Sequence, residues 1–104
     1  MAKRIDCENP IGTNMESRIC LNLKFQNVDS ILNHRLVTYL DQVENDSLKS
    51  KIKAYQENWI LNRRLQSDIF SEGYSSNTLG IYYLRSMVNS TELRIKELEL
   101  LIEN

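Results

Sequence analysis

One proline and three glycines stand in a chain of 104 residues. So few breakers leave room for long helices and argue against a turn-rich all-β fold. Histidine is nearly absent: His34 is the single one, and Cys7 and Cys20 are the only cysteines. A zinc centre takes about four Cys, His or carboxylate ligands, so this supply excludes a His-rich metal cluster. His34, between Asn33 and Arg35, reads as a helix-surface residue. No charge sign dominates, with 13 basic and 14 acidic residues and a net charge of −1. The basic excess of a nucleic-acid binder is missing. So is the run of about 18 apolar residues that a membrane-spanning helix needs. There is no phosphate-cradling glycine loop and no nucleophile-elbow motif. The carboxylates are scattered over helix faces. These absences together favour binding over catalysis, with no cofactor expected.

What is there is helical periodicity. Residues 1–12 have no clean period, contain Asn9-Pro10 and Gly12, and read as an extended lead-in to one domain over 13–104. Thr13 and Glu16 have capping-box spacing, which predicts a short helix over 14–20, and Asn22 offers a second N-cap. Phe25, Val28, Leu32, Leu36, Tyr39 and Val43 then step by three and four, predicting a helix over about 23–44 with Tyr39 on its core face. Asn45-Asp46-Ser47 breaks that segment, and Asp46 or Ser47 can cap the next, over about 47–71. Its stripe runs Leu48, Ile52, Tyr55, Trp59 and on to Leu65 or Ile69-Phe70. The stretch Ser71 to Gly80 reads as a loop. A last helix, over about 79–103, carries Leu84, Val88, Thr91, Ile95, Leu98 and Ile102. The expected fold is all-α: a compact bundle of three long helices preceded by a short one. The oligomeric state stays open, since a helix stripe can face a second copy as well as its own core. The sequons at Asn45 and Asn89 are read as chance.

Polar residues border the stripes. Trp59 and Arg63 share one helix face, as do Asp29 and Asn33, and Thr91 and Arg94 edge the last stripe. A charge beside a core needs a partner, because an unpaired buried ion is expensive. The expectation is a semi-buried network of Glu16, Asp29, Asn33, Arg63, Thr91 and Arg94, in which Asp29 and Glu16 partner Arg63 and Arg94. Trp59 is expected to anchor the core, with Arg63 on its ring or reaching a carboxylate. The rival reading makes these residues a binding surface. The cysteines alone allow either one bridge, closing a short loop, or two free thiols.

At these residues the sequence resembles the LprI-type lysozyme-inhibitor family of small exported bacterial domains. The matching pattern is Asp6-Cys7, Thr13-x-x-Glu16-x-x-Ile19-Cys20, Asp29-x-x-Leu32-Asn33, Tyr39, Gln56-x-x-Trp59-x-x-x-Arg63 and Thr91-x-x-Arg94-x-x-x-Leu98. It runs from about Asp6 to Leu98. The resemblance implies a Cys7–Cys20 bridge, since disulfides persist in the bacterial envelope. It also implies a periplasmic or secreted protein whose signal peptide has been removed, because Met1-Ala2-Lys3-Arg4 is followed by no apolar stretch. Family members often carry a second Cys pair where this chain has Ser67 and Ser86. Those two Cα atoms should then lie within about 7 Å, the disulfide-compatible range.

The implied function is inhibition of lysozyme by a protein–protein contact. The candidate plug is the Ser71–Gly80 loop, with Tyr74, Ser75, Ser76 and Asn77. Asp41, Glu44 and Asp46, and Glu92, Glu97, Glu99 and Glu103, are candidate acidic patches for steering a cationic partner. Other readings are an immunity-type or stress-related periplasmic binder of a different cell-wall hydrolase or toxin, and a structural or accessory envelope protein.

Overall fold

The computed structural model describes residues 6–8 and 12–103. Among them are three α-helices and no strand: α1 (Asn14–Gln42), α2 (Asp46–Phe70) and α3 (Ser76–Glu103). The bundle is elongated, about 52 × 29 × 23 Å. α3 packs along much of α1 and more lightly against α2, while α1 and α2 scarcely meet backbone to backbone.

The start of α1 follows from its cap. Thr13 Oγ1 accepts the amide of Glu16 at 3.1 Å, which satisfies one of the orphan donors of a first helical turn. Glu16 reaches back one residue further than a standard capping box, and its Oε1 accepts the Gly12 amide at 3.0 Å. Gly12, at φ +90°, occupies the left-handed region that glycine enters without penalty. Cys7 is bonded to Cys20 across a separation of 13 residues, tying the lead-in to α1.

Two expected boundaries move. The separate helix over 14–20 is not formed: α1 continues through Asn22 to Gln42. Leu21, Phe25, Val28 and Leu32 step by four, three and four, so the apolar phase crosses Asn22 unbroken. An Asn inside a helix costs about 0.6 kcal/mol relative to Ala. Ending the helix there would orphan several backbone groups, so continuation wins. The cap of α2 is Asn45, whose Oδ1 accepts the Leu48 amide at 3.0 Å, one residue before the expected Asp46 or Ser47.

The expected ten-residue loop is also shorter. Ser71 ends α2: its amide and its hydroxyl both donate to the Ser67 carbonyl, at 3.0 and 2.8 Å. Gly73, at φ +88°, turns the chain, and α3 begins at Ser76. Ser76 and Asn77 therefore belong to the first turn of α3.

The core joins α1 to α3. Val28 and Leu32 pack on Ile95 and Leu98, with Phe25, Leu36, Tyr39 and Trp59 around them. Tyr39 and Trp59 are half-buried there. The stripe of α2 departs from its expected course. Ile52 is buried, but the face then continues through Gln56, Arg63 and Ser67, leaving Leu65, Ile69 and Phe70 exposed. The polar phase prevails because its members find hydrogen-bond partners on both other helices.

Candidate functional site

The most elaborate constellation centres on Arg63, which is 6% exposed. Its Nη1 donates to Asp29 Oδ1 on α1 and to Thr91 Oγ1 on α3, both at 2.9 Å. The guanidinium lies between two rings, 5.1 Å from the centroid of Phe25 and 4.7 Å from that of Trp59. Stacking on a ring face suits the planar, weakly hydrated guanidinium. Thr91 passes its own proton to the Met87 carbonyl at 2.6 Å, so its oxygen is free to accept from Arg63. One cation thus touches all three helices. Its Nε is buried without a hydrogen-bond partner among the described residues.

Arg94 forms a second, separate clamp. It is buried, its Nε donates to Gln56 Oε1 at 3.0 Å, and its guanidinium sits 4.7 Å above the Tyr55 ring. Its Nη1 lies 3.6 Å from Glu97. Beside it a cleft of about 340 Å³ is lined by Tyr39, Lys51, Ile52, Tyr55, Arg94 and Leu101.

A hydroxyl cluster sits beyond Arg63. Ser67 Oγ lies 2.8 Å from the Arg63 carbonyl and 3.0 Å from Ser86 Oγ, and both serines are buried. A hydroxyl has one proton. Ser67 gives its proton to the carbonyl, and Ser86 donates to Ser67.

The structure therefore divides the expected network. Asp29, Arg63 and Thr91 come together. Arg94 joins Gln56 and Glu97 instead of Asp29 or Glu16. Glu16 is buried but serves the Gly12 amide, too early on α1 to meet either arginine. Asn33 is exposed, one turn past Asp29, and takes no part in these contacts. Phe25 and Gln56 are the members that sequence reasoning left out. Phe25 stands four residues before Asp29, and Gln56 seven before Arg63. Those spacings put Phe25 on the Asp29 face of α1 and Gln56 on the Arg63 face of α2, which was the available signal.

The corner between α2 and α3 is aromatic. Tyr74 stacks on Tyr82 with centroids 4.2 Å apart, Phe70 meets Tyr82 edge-on at 5.7 Å, and Arg85 lies 5.6 Å from the Tyr82 ring. Tyr82, through side-chain hydrogen bonding first and charge second, holds the Tyr74 phenol above the usual value of 10. Tyr74 and Ser75 are exposed. Asn77 Oδ1 accepts from Arg18 Nη1 at 3.3 Å and is half-buried. Arg18 lies directly over Gly80, where a Cβ would come within 2.7 Å of its Nε.

Three of the expected acidic residues are engaged, Glu97 with Arg94 and two more across helices. Glu92 pairs with Lys24 at 3.8 Å and Glu99 with Arg35 at 3.4 Å, both across the α1–α3 seam. Among the described residues no group of three His, Cys, Asp or Glu is placed to hold a metal ion. No described helix is long and apolar enough to cross a membrane.

Residues 6–98 match a family model described as Lysozyme inhibitor LprI. No curated protein and no solved structure matches the chain.

Proposed function

The chain belongs to the LprI lysozyme-inhibitor family, and on that premise we propose that it is an exported bacterial envelope protein that binds lysozyme and blocks it. The observation that carries the reading is the extent of the match, which covers residues 6–98 and so takes in most of all three helices. The Cys7–Cys20 bond supports export, because such bonds persist in oxidising compartments. Protein binding, not catalysis, is the activity.

Lysozyme cleaves a glycan with two carboxylates that flank the scissile bond in a cleft. An inhibitor must fill or cover that cleft with a surface that loses little entropy on docking. The α2–α3 corner meets this demand. Tyr74 is exposed, yet its stacking on Tyr82 holds it in place. Tyrosine offers a large amphipathic contact at low conformational cost. In this reading Tyr74 and Ser75 lead the contact, with Ser76 and Asn77 behind them.

The test is the clearing of a cell-wall suspension by a c-type lysozyme, followed by turbidity. The protein is expected to slow clearing in proportion to its concentration. Tyr74→Ala should weaken that effect while leaving the helical circular dichroism signal unchanged. Unimpeded clearing at a large molar excess would overturn the proposal.

A further inference from the structure

The outer face of α2 carries an apolar ridge that the fold does not use. Leu61, Leu65 and Ile69 are 57%, 60% and 75% exposed. Four residues apart, they line up along one side of the helix. At 3.6 residues per turn that side is opposite the one bearing Ile52, Gln56, Arg63 and Ser67, which are buried. Beyond Ile52, α2 thus buries Gln56, Arg63 and Ser67 and leaves an aliphatic row outside, against the usual order of an amphipathic helix. A contiguous exposed apolar row of this kind is a candidate interaction surface.

The borders of the ridge indicate its occupant. One border carries Glu57, Arg64 and Asp68, and the other carries Asn62 and Gln66, all exposed. Neither Arg64 nor Asp68 has an ion-pair partner among the described residues. Charge on this face is nearly balanced and changes sign within one helical turn. A partner of strong single-sign charge would meet like charge on this border, at Arg64 or at Glu57 and Asp68. A second copy of the same face would not.

We propose that this ridge is the contact between two copies of the chain, with their α2 helices antiparallel about a two-fold axis near Leu65. A two-fold contact uses the same patch on both partners, so it must be self-complementary. Antiparallel packing brings each border against the same border of the partner. Arg64 of each copy then lies within a turn of Asp68 of the other, forming two reciprocal ion pairs around the aliphatic centre. Parallel packing would set the charged border against Asn62 and Gln66 and leave both charges unmatched. The contact does not depend on what the protein inhibits.

Sedimentation equilibrium of the full chain over a range of concentrations tests this. A reversible monomer–dimer equilibrium is expected. Leu65→Glu should give monomer at every concentration with helicity retained. Arg64→Asp should weaken the dimer, because like charges then face one another. Adding Asp68→Arg to that variant restores opposite charges across the axis and should restore the dimer. A wild-type chain that stays monomeric at every concentration would overturn the proposal. So would a dimer that Leu65→Glu leaves intact, or a charge swap that fails to rescue Arg64→Asp. Leu61→Ser guards against misfolding of the Leu65 variant, and it too is expected to shift the equilibrium toward monomer.

Discussion

Ser67 of α2 and Ser86 of α3 hold their hydroxyl oxygens 3.0 Å apart in a buried position. These are the two positions at which the sequence resemblance implies a second Cys pair in relatives. Two serines there keep the helices in register with a hydrogen bond in place of a covalent one.

The double variant Ser67→Cys, Ser86→Cys is therefore expected to form a disulfide spontaneously on oxidation. In the chain-entropy account a loop of about 20 residues contributes about 3 kcal/mol. Mass with and without reductant, and the shift of the urea midpoint, check this. Either single Cys variant should show no such gain. A double variant whose thiols stay free under oxidant would show that the two Cβ atoms cannot adopt bridging geometry.

Arg63 makes the second case. Thr91→Val keeps the shape of the side chain but removes an acceptor from a buried cation, which costs about 1–3 kcal/mol. Asp29→Ala removes the countercharge. Asp29 is a third exposed, so water partly compensates, and a loss of about 2–3 kcal/mol is expected, below the full cost of breaking a buried pair. Arg63→Met should cost less than removing both acceptors together, because it deletes the cation that needs them. Urea denaturation of the variants decides the order.

Two glycines should respond with opposite sign. Gly73→Ala places a side chain at φ +88° and is expected to destabilise by about 1 kcal/mol, although nothing lies within 4 Å of the added carbon. Gly80→Ala meets only the end of the Arg18 side chain, which can swing into solvent. The substitution gains up to about 1 kcal/mol of helix propensity against the loss of the exposed Arg18–Asn77 contact. Thermal melts of both variants, read side by side, test the contrast.

The helices were legible because apolar residues step by three and four along three segments, and the cap at Thr13 was legible from its spacing to Glu16. The merging of the first two helical segments was not. Asn22 is a good cap in isolation, and only the continuity of Leu21, Phe25 and Val28 overrides it. The Ser-rich stretch after Phe70 hid the start of α3, since serine and asparagine suit a first helical turn as well as a loop. The inner face of α2 was hardest to read. Leu61, Leu65 and Ile69 offer one phase, and Gln56, Arg63 and Ser67 offer another. The choice depends on partners in α1 and α3 that no local pattern reveals. Arg63 with Asp29 and Thr91 was foreseeable as a need for countercharge, whereas the pairing of Arg94 with Gln56 required the geometry.

The principal seam joins the first helix to the last: Val28 and Leu32 close on Ile95 and Leu98. A chain delivered N-terminus first, whether from a ribosome or through a membrane channel, holds half of this seam long before the other half emerges. Contacts so far apart in sequence form late and slowly. Until then α1 can close only on α2, through Trp59 and the contacts of Arg63 with Phe25 and Asp29. Closure of the apolar seam waits for the last helix to be released.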